Sequence, residues 1–411
     1  MAALQWFKNN IPKTVTGGNW NICTALISLF LGITVSVVMA ASLPQEIFGL
    51  YKYIYSIIGF FGAFTLSGVQ NALLYETARG NTNILIEAQK LYTRNAWLFM
   101  ILITLYAGYG IYAGYGIIFA GALWIAGAGS IAITIAGMYA YILAGKERYR
   151  TITKTTAIIG ISQMIATTGA VLITKNIAYI IIASVLSTLI PTLYFHYIFK
   201  KKLNEKSVSE NSGTITEESM SLTGASVIAS LSNYGDKLLI FNVLGASTMG
   251  LYAIADDMVA FAKGFIKSYI STHAPHMART ITRTATFNAA IITSLACGIF
   301  LSALYFVCTP YIFKYLYPAY LPAVGYAQAL SVTLIFITPL TYMAYIFQSQ
   351  KMIRAIYIST STTHVLRIIG YSVGGLYWGI NGIIATHIII YAASMVLSLM
   401  LIKKSSYVRQ Q

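Results

Sequence analysis

Charge is what this chain has least of. Only 9% of its 411 residues are Asp, Glu, Lys or Arg, and 57% are hydrophobic. No soluble domain hides that much apolar surface, so the composition excludes a water-soluble protein and leaves an all-α chain that crosses the bilayer many times. Cysteine is nearly absent too. Cys23, Cys297 and Cys308 are odd in number and lie inside apolar runs, which excludes a disulfide framework and a cysteine metal site. Of the few histidines, His273 and His276 flank Pro275 with no third ligand near them in sequence, so neither a metal nor a cofactor is expected. The charge that exists is lopsided, 27 basic residues against 11 acidic, for a net +16. Such an excess elsewhere points to nucleic acid. Here the basic residues sit in short stretches between apolar runs, as the positive-inside rule requires, and no nucleic-acid partner is expected.

Runs of about 20 apolar residues mark spans, and twelve are readable, at about 20–42, 50–72, 96–113, 117–143, 156–174, 177–199, 222–243, 250–273, 285–308, 321–347, 355–374 and 379–402. Lys8 and Lys13 ahead of the first run, which ends Met39-Ala40-Ala41-Ser42, faintly resemble a signal peptide, but the run is long enough to span and others follow it. With the amino terminus inside, 20 of the 27 basic residues fall in cytoplasmic segments and two, Lys175 and Lys314, fall outside. This predicts a multi-pass protein of the cell (inner) membrane with both termini in the cytoplasm. Tyrosines gather at span ends, as in Tyr106–Gly116, where interfacial belts form. Pro310 and Pro339 predict a break after the ninth span and a kink in the tenth.

The segment Lys200–Ser221 has hardly an apolar residue and reads as a flexible cytoplasmic linker near the midpoint. It predicts an amino-terminal lobe over residues 1–199 and a carboxy-terminal lobe over 222–411. The two halves echo each other. Phe48-Gly49-Leu50-Tyr51 opens the second span and Met249-Gly250-Leu251-Tyr252 the eighth, an offset of 201 residues. Tyr141-Ile142 and Tyr345-Ile346 match at an offset of 204. Six spans per half is an even number, so the repeats are parallel about an axis along the membrane normal, with the substrate site between them.

The stretch Leu222–Met277 stands apart, because its two spans carry Asp236, Lys237, Asp256, Asp257, Lys263 and Lys267. A charge at mid-bilayer costs roughly 2.5–3.5 kcal/mol and by default marks a functional interior. Asp256, Lys263 and Lys267 share one stripe of the eighth span, which predicts a wet cavity or a protein interface along it.

At these residues the chain resembles the multidrug/oligosaccharidyl-lipid/polysaccharide (MOP) flippase superfamily, and within it the Wzx-like polysaccharide flippases. The resemblance rests on Leu43–Tyr51, on Ser67-Gly68, and on Tyr234-Gly235-Asp236-Lys237-Leu238-Leu239-Ile240 continuing through Gly245 to Gly250-Leu251-Tyr252. It implies two six-helix lobes in a V, a central cavity lined by spans one, two, seven and eight, and passage of lipid-linked sugars by alternating access. Span two departs from the expected pattern in having Lys52 as its one basic residue, and Asp256-Asp257 is more acidic than a binder of anionic headgroups suggests.

The buried charges carry two readings each. Asp236 and Asp257 lie eight residues from either side of the tight turn, at equal depth. Asp236, Asp256 and Asp257 are candidates for a proton or Na⁺ coupling site, and the plainer reading is a helix-pairing salt bridge of Asp236 or Asp256 with Lys237. Lys263 and Lys267, with Lys52 and Lys237, are candidates for contact with a phosphate, which an ammonium suits as a point charge with three donors. Snorkelling or a surface position is the plainer account of Lys267 and Lys52. Arg367, with His364 on the same face of span eleven, reads as a buried hydrogen-bond partner or a cavity residue. Gln70 and Asn71 either line the inner mouth or cap a span, and Tyr234 and Tyr252 are open to stacking on sugars. The leading expectation is a non-enzymatic flippase for polyprenyl-diphosphate-linked oligosaccharides, with lipid around it and a glycan polymerase and chain-length machinery as partners. The alternatives are a cation-coupled multidrug exporter of the same fold and a membrane glycan polymerase or transferase. The very short outer loops leave the last of these no room for a catalytic group.

Overall fold

The computed structural model describes residues 15–65, 68–80, 84–203, 213–280, 284–350 and 352–404. Its elements are all helical. In chain order they are α1 (Val15–Ser42), α2 (Gln45–Gly62, running into the 3₁₀ turn Ala63–Thr65), α3 (Gly68–Ala78), α4 (Leu85–Tyr112), α5 (Gly116–Gly137) and α6 (Tyr139–Gly145). They continue with α7 (Tyr149–Ile173), α8 (Ile177–Leu203), α9 (Gly213–Leu244), α10 (Ala246–Thr280) and α11 (Thr284–Leu316). The 3₁₀ turn Pro318–Ala323 leads into α12 (Val324–Ser331), α13 (Thr333–Ser349) and α14 (Ile353–Lys404).

Eight of the described helices are long and apolar enough to cross a membrane, and α12 with α13, bent by 41°, form a ninth crossing. At about 1.5 Å per residue α14 would be roughly 78 Å long, far more than a hydrocarbon core of about 30 Å. It breaks at Gly379, whose φ of +58° a side chain would resist, and so crosses twice. The remaining crossings are α9 and α10, of 32 and 35 residues, less apolar than the rest because they hold the charged residues. Together these make the twelve crossings read from the sequence. Leu105, Leu172, Phe300 and Met400 are each more than three-fifths exposed, an outer surface that lipid rather than water must cover.

Three local expectations are corrected. Helix continues through both Pro310 and Pro339, and the bend falls between Ser331 and Thr333 instead. The hydroxyls of Ser331 and Thr333 donate back to the carbonyls of Gln328 and Leu330, both at 2.6 Å, which supplies donors to the carbonyls beside the break. The segment 200–221 is not one flexible stretch, since α8 runs to Leu203 and α9 begins at Gly213. Residues 204–212 lie outside the described residues, as do Ser67 and the side chains of His273 and His276. The turn Leu244–Thr248 reduces to one non-helical residue, Gly245, at φ +90°.

The lobes α1–α8 and α9–α14 meet where α10 packs on α1 and α2, and where α9 runs along α2 and α3. At the end of the bundle carrying the tight turns the contact follows the repeat. A Cβ on Gly49 would lie 1.9 Å from the Ala246 carbonyl oxygen, and one on Gly250 would lie 2.5 Å from that of Gln45. Gln45 and Ala246 are themselves 201 residues apart, so repeat-related residues meet their counterparts about one local twofold axis. The Gln45 side chain strengthens this seal. Its amide donates to the Ala319 carbonyl (2.6 Å) and its oxygen accepts from the Ser247 hydroxyl (3.0 Å). Nearby the Tyr53 ring stacks on Phe241 at 3.6 Å and 8°, a contact worth about 0.5–1.5 kcal/mol beyond burial.

Candidate functional site

Asp256 and Asp257 are neighbours on α10, but about 100° per residue turns them toward different lobes. Asp257 pairs with Lys52 of α2, a salt bridge across the lobe interface whose side chains keep 24% and 21% of their exposure. The pair stands at the wall of a cavity of about 460 Å³ between α1, α2, α7 and α10. Three of the four spans expected around a central cavity, one, two and eight, line this one, and the fifth span, α7, closes it. The rest of the wall is uncharged. It combines rings (Phe48, Tyr51, Phe261) with hydroxyl and amide groups (Ser28, Thr156, Gln163).

Asp256 turns into the carboxy-terminal lobe and meets Lys237 at 2.7 Å, while the same ammonium lies 3.7 Å from Asp236. Asp236 is 2% exposed. It accepts a hydrogen bond from the Tyr252 hydroxyl at 2.5 Å, and His387 Nε2 lies 3.5 Å away. Tyr252 oxygen and His387 Nε2 are 3.0 Å apart. Because the one hydroxyl hydrogen of Tyr252 serves Asp236, toward His387 the oxygen accepts, which places the imidazole hydrogen on Nε2. The Tyr371 hydroxyl lies beside the same ring, 3.0 Å from Nε2 and 3.2 Å from Nδ1. The second carboxylate oxygen of Asp236 has no hydrogen-bond partner among the described residues.

The three carboxylates expected to act together are therefore split. Asp236 and Asp256 share Lys237 inside one lobe, and Asp257 belongs to the lobe interface. The stripe of Asp256, Lys263 and Lys267 is divided as well. Lys263 sits over the Tyr391 ring at 5.4 Å, with the Arg367 guanidinium over the same ring at 4.8 Å, and Lys267 is exposed. Arg367 is buried within its own lobe and donates to Asn233 at 3.2 Å. His364 lies half-buried one turn before it, and its Nδ1 has no partner among the described residues. Gln70 accepts from the Tyr141 hydroxyl at 2.8 Å, Asn71 is exposed, and Tyr234 fills the space beside Gly59. Sequence reasoning missed His387, Tyr371 and Tyr391. A lone histidine in an otherwise apolar run was the signal that marked His387.

The fold and the buried charges define a class, a multi-pass membrane protein with two six-helix lobes. The chain belongs to the polysaccharide biosynthesis protein family, whose model matches residues 15–281. Its structural neighbours are MOP superfamily transporters. A structure of the lipid II flippase MurJ in an inward closed conformation is similar at a TM-score of 0.73 and 15% identity, over 93% of this chain and 87% of that one. An outward-facing multidrug resistance MATE family transporter aligns at 0.66 and 14% identity, over 96% and 97%. A MOP superfamily transporter from Pyrococcus furiosus aligns at 0.67 and 14%, over 96% of both chains. No curated protein sequence matches the chain.

Proposed function

We propose that this protein flips polyprenyl-diphosphate-linked oligosaccharides across the cell membrane for surface polysaccharide assembly, by alternating access of its two lobes. The observation that carries the reading is the Lys52–Asp257 pair, a cation at the wall of a neutral cavity held by a carboxylate of the opposite lobe. A diphosphate entering the cavity replaces Asp257 on Lys52. One charge-assisted bond is exchanged for another, so the exchange is nearly balanced in energy. It also releases one tie between the lobes, so that binding favours their rearrangement. The polyprenyl tail remains in the bilayer, and a glycan polymerase with its chain-length machinery takes the product.

The basic end of the bundle faces the cytoplasm in this reading, with both termini inside and the lobes divided at residues 200–221. Lys263 and Lys267 form the entry path for the diphosphate, and Lys237 acts through Asp236 and Asp256. Coupling runs through Asp236 and His387. The Tyr252 hydroxyl already donates to Asp236, and the Lys237 ammonium and His387 Nε2 stand 3.7 and 3.5 Å from it. These donors leave no shell of oxygens for a Na⁺ ion, and the His387 imidazole beside them is the group suited to take up and release a proton. The exporter alternative is weaker here, because Asp256 and Asp257 each already hold an ammonium that an organic cation would have to displace.

The test is the Lys263→Ala/Lys267→Ala double variant and, separately, Lys52→Ala, at normal protein levels in cells that depend on this chain. Glycan-lipid accumulating on the cytoplasmic side is the expected result. Unchanged surface glycan in both strains would contradict the reading.

A further inference from the structure

The cavity between α1, α2, α7 and α10 has a composition that a diphosphate alone does not explain. Away from Lys52 and Asp257 it carries no charge, yet it is not apolar either. Hydroxyls on spanning helices ordinarily bond back to the carbonyl four residues earlier. On these helices Thr24, Thr34 and Thr153 do so, at 2.8, 2.9 and 3.0 Å. Ser36, which lines the cavity, is buried with its hydroxyl unpartnered among the described residues, and Ser28 and Thr156 line the cavity beside it. The Gln163 amide has only a long bond, 3.4 Å, to the Ser184 hydroxyl. Polar groups at bilayer depth cost free energy unless something meets them. Opposite these groups stand the rings of Tyr51 and Phe261.

We infer that this cavity is a subsite for a neutral sugar, the first residue or two of the glycan next to the diphosphate. The inference rests on the flippase reading above and adds to it the place and the chemical class of the headgroup. A pyranose has apolar C–H faces that lie on aromatic rings and hydroxyls that both donate and accept. Serine and threonine hydroxyls and a glutamine amide are the side chains that both donate and accept in return. A volume of about 460 Å³ lies within the range of small-ligand pockets. Lys52 at the wall puts the diphosphate where the first sugar reaches the cavity. A uronic acid or sialic acid is disfavoured, because Lys52 is the cavity's one cation and the diphosphate already occupies it. An acyl chain is disfavoured by the hydroxyls. The two walls belong to different lobes, since Phe261 comes from α10, so a seated sugar also reports its presence across the interface.

The experiment measures binding to the full chain in lipid nanodiscs of three probes. These are a bare polyprenyl diphosphate, the same lipid carrying one N-acetylhexosamine, and the same lipid carrying one hexuronic acid. The wild type is expected to bind the neutral glycolipid about tenfold more tightly than the bare one, the equivalent of one or two hydrogen bonds. The acidic glycolipid gains no such preference. Ser28→Trp/Thr156→Trp fills the cavity and brings the ratio of neutral to bare affinities to about one. Gln163→Leu, close to it in volume, lowers the ratio about threefold, the share of one hydrogen bond. Melting temperature and bare-lipid affinity tell a filled cavity from an unfolded protein. Equal binding of neutral and bare lipids by the wild type would overturn the inference and leave the flippase reading standing. A ratio that survives the double tryptophan variant would do the same. Failure of all three lipids to bind would overturn both.

Discussion

The two lobes of this protein share a fold and a repeat but not an interior. The amino-terminal lobe is nearly uncharged within its spans. Lys52 is its one membrane-embedded cation, and even that is answered from the other lobe by Asp257. The carboxy-terminal lobe holds Asp236, Lys237, Asp256, Lys263, Arg367 and His387, tied together by three tyrosines. One fold thus carries a hydroxyl-lined cavity at the lobe interface and a buried charged cluster inside the carboxy-terminal lobe, and side chains set the difference. A neutral, hydroxyl-lined cavity suits a sugar, and a charged, donor-crowded cluster suits a proton. Where the lobes touch at Gly49 and Gly250 the halves are still alike, because there the twofold contact needs the same small residue twice.

The largest effect is expected at that symmetric seal. Gly49→Val drives a side chain into the Ala246 carbonyl, a backbone atom that cannot swing aside as a side chain could. Transport is lost and the lobes part at the turn end. A cysteine at Ser247 is then labelled by a membrane-impermeant maleimide from that side at least as fast as any wild-type control allows. Slow labelling in a well-folded Gly49→Val protein would show that the seal does not depend on the glycine pair. Next in size is Lys237→Met, which strands buried Asp256 and Asp236 without their shared cation. Removing one partner of a buried pair costs about 3–5 kcal/mol. The melting temperature falls sharply, and Lys237→Met/Asp256→Asn recovers part of the loss. The corresponding change at Lys52 lowers it far less, because that pair is partly exposed. Equal losses at the two lysines would erase the contrast between the lobes. The smallest effect belongs to His387→Gln. His387 brings an imidazole, the side chain best suited to exchange a proton, to the Asp236 cluster, so wild-type flipping depends on pH and the variant flips at a rate that is nearly flat with pH. An unaltered pH profile would remove His387 from coupling.

Much of this was legible beforehand, and the exceptions have physical causes. Hydropathy placed all twelve crossings because a span's length is imposed by the bilayer. The offset of 201 residues pointed at Gly49 and Gly250, which do meet. Equal depth on either side of Gly245 brought α9 and α10 charges together, and the bridge of Asp256 with Lys237 read from the sequence is present, but depth says nothing about rotation, so Asp257, read as facing Asp236, turns to Lys52 instead. The Lys52–Asp257 bridge joins residues 205 apart and follows only from how the lobes dock. Proline misled at Pro310 and Pro339 because a bundle can absorb the lost hydrogen bond. The cavity went unseen because serine, threonine and glutamine scattered over α1 and α7 look like ordinary helix hydroxyls and amides until the helices are assembled.

The central claim is that Lys52 is a handle for substrate, held ready by Asp257, and not simply half of a structural tie. The most direct measurement is flipping of a fluorescent polyprenyl-diphosphate glycan in proteoliposomes by wild type, Lys52→Ala and Asp257→Asn. The account predicts that Lys52→Ala loses at least about tenfold in rate, the share of one charge-assisted contact. Asp257→Asn, which frees the handle, keeps most of the activity and binds the diphosphate more tightly. Equal loss in both variants would make the pair a structural tie, and full activity in Lys52→Ala would contradict the account outright.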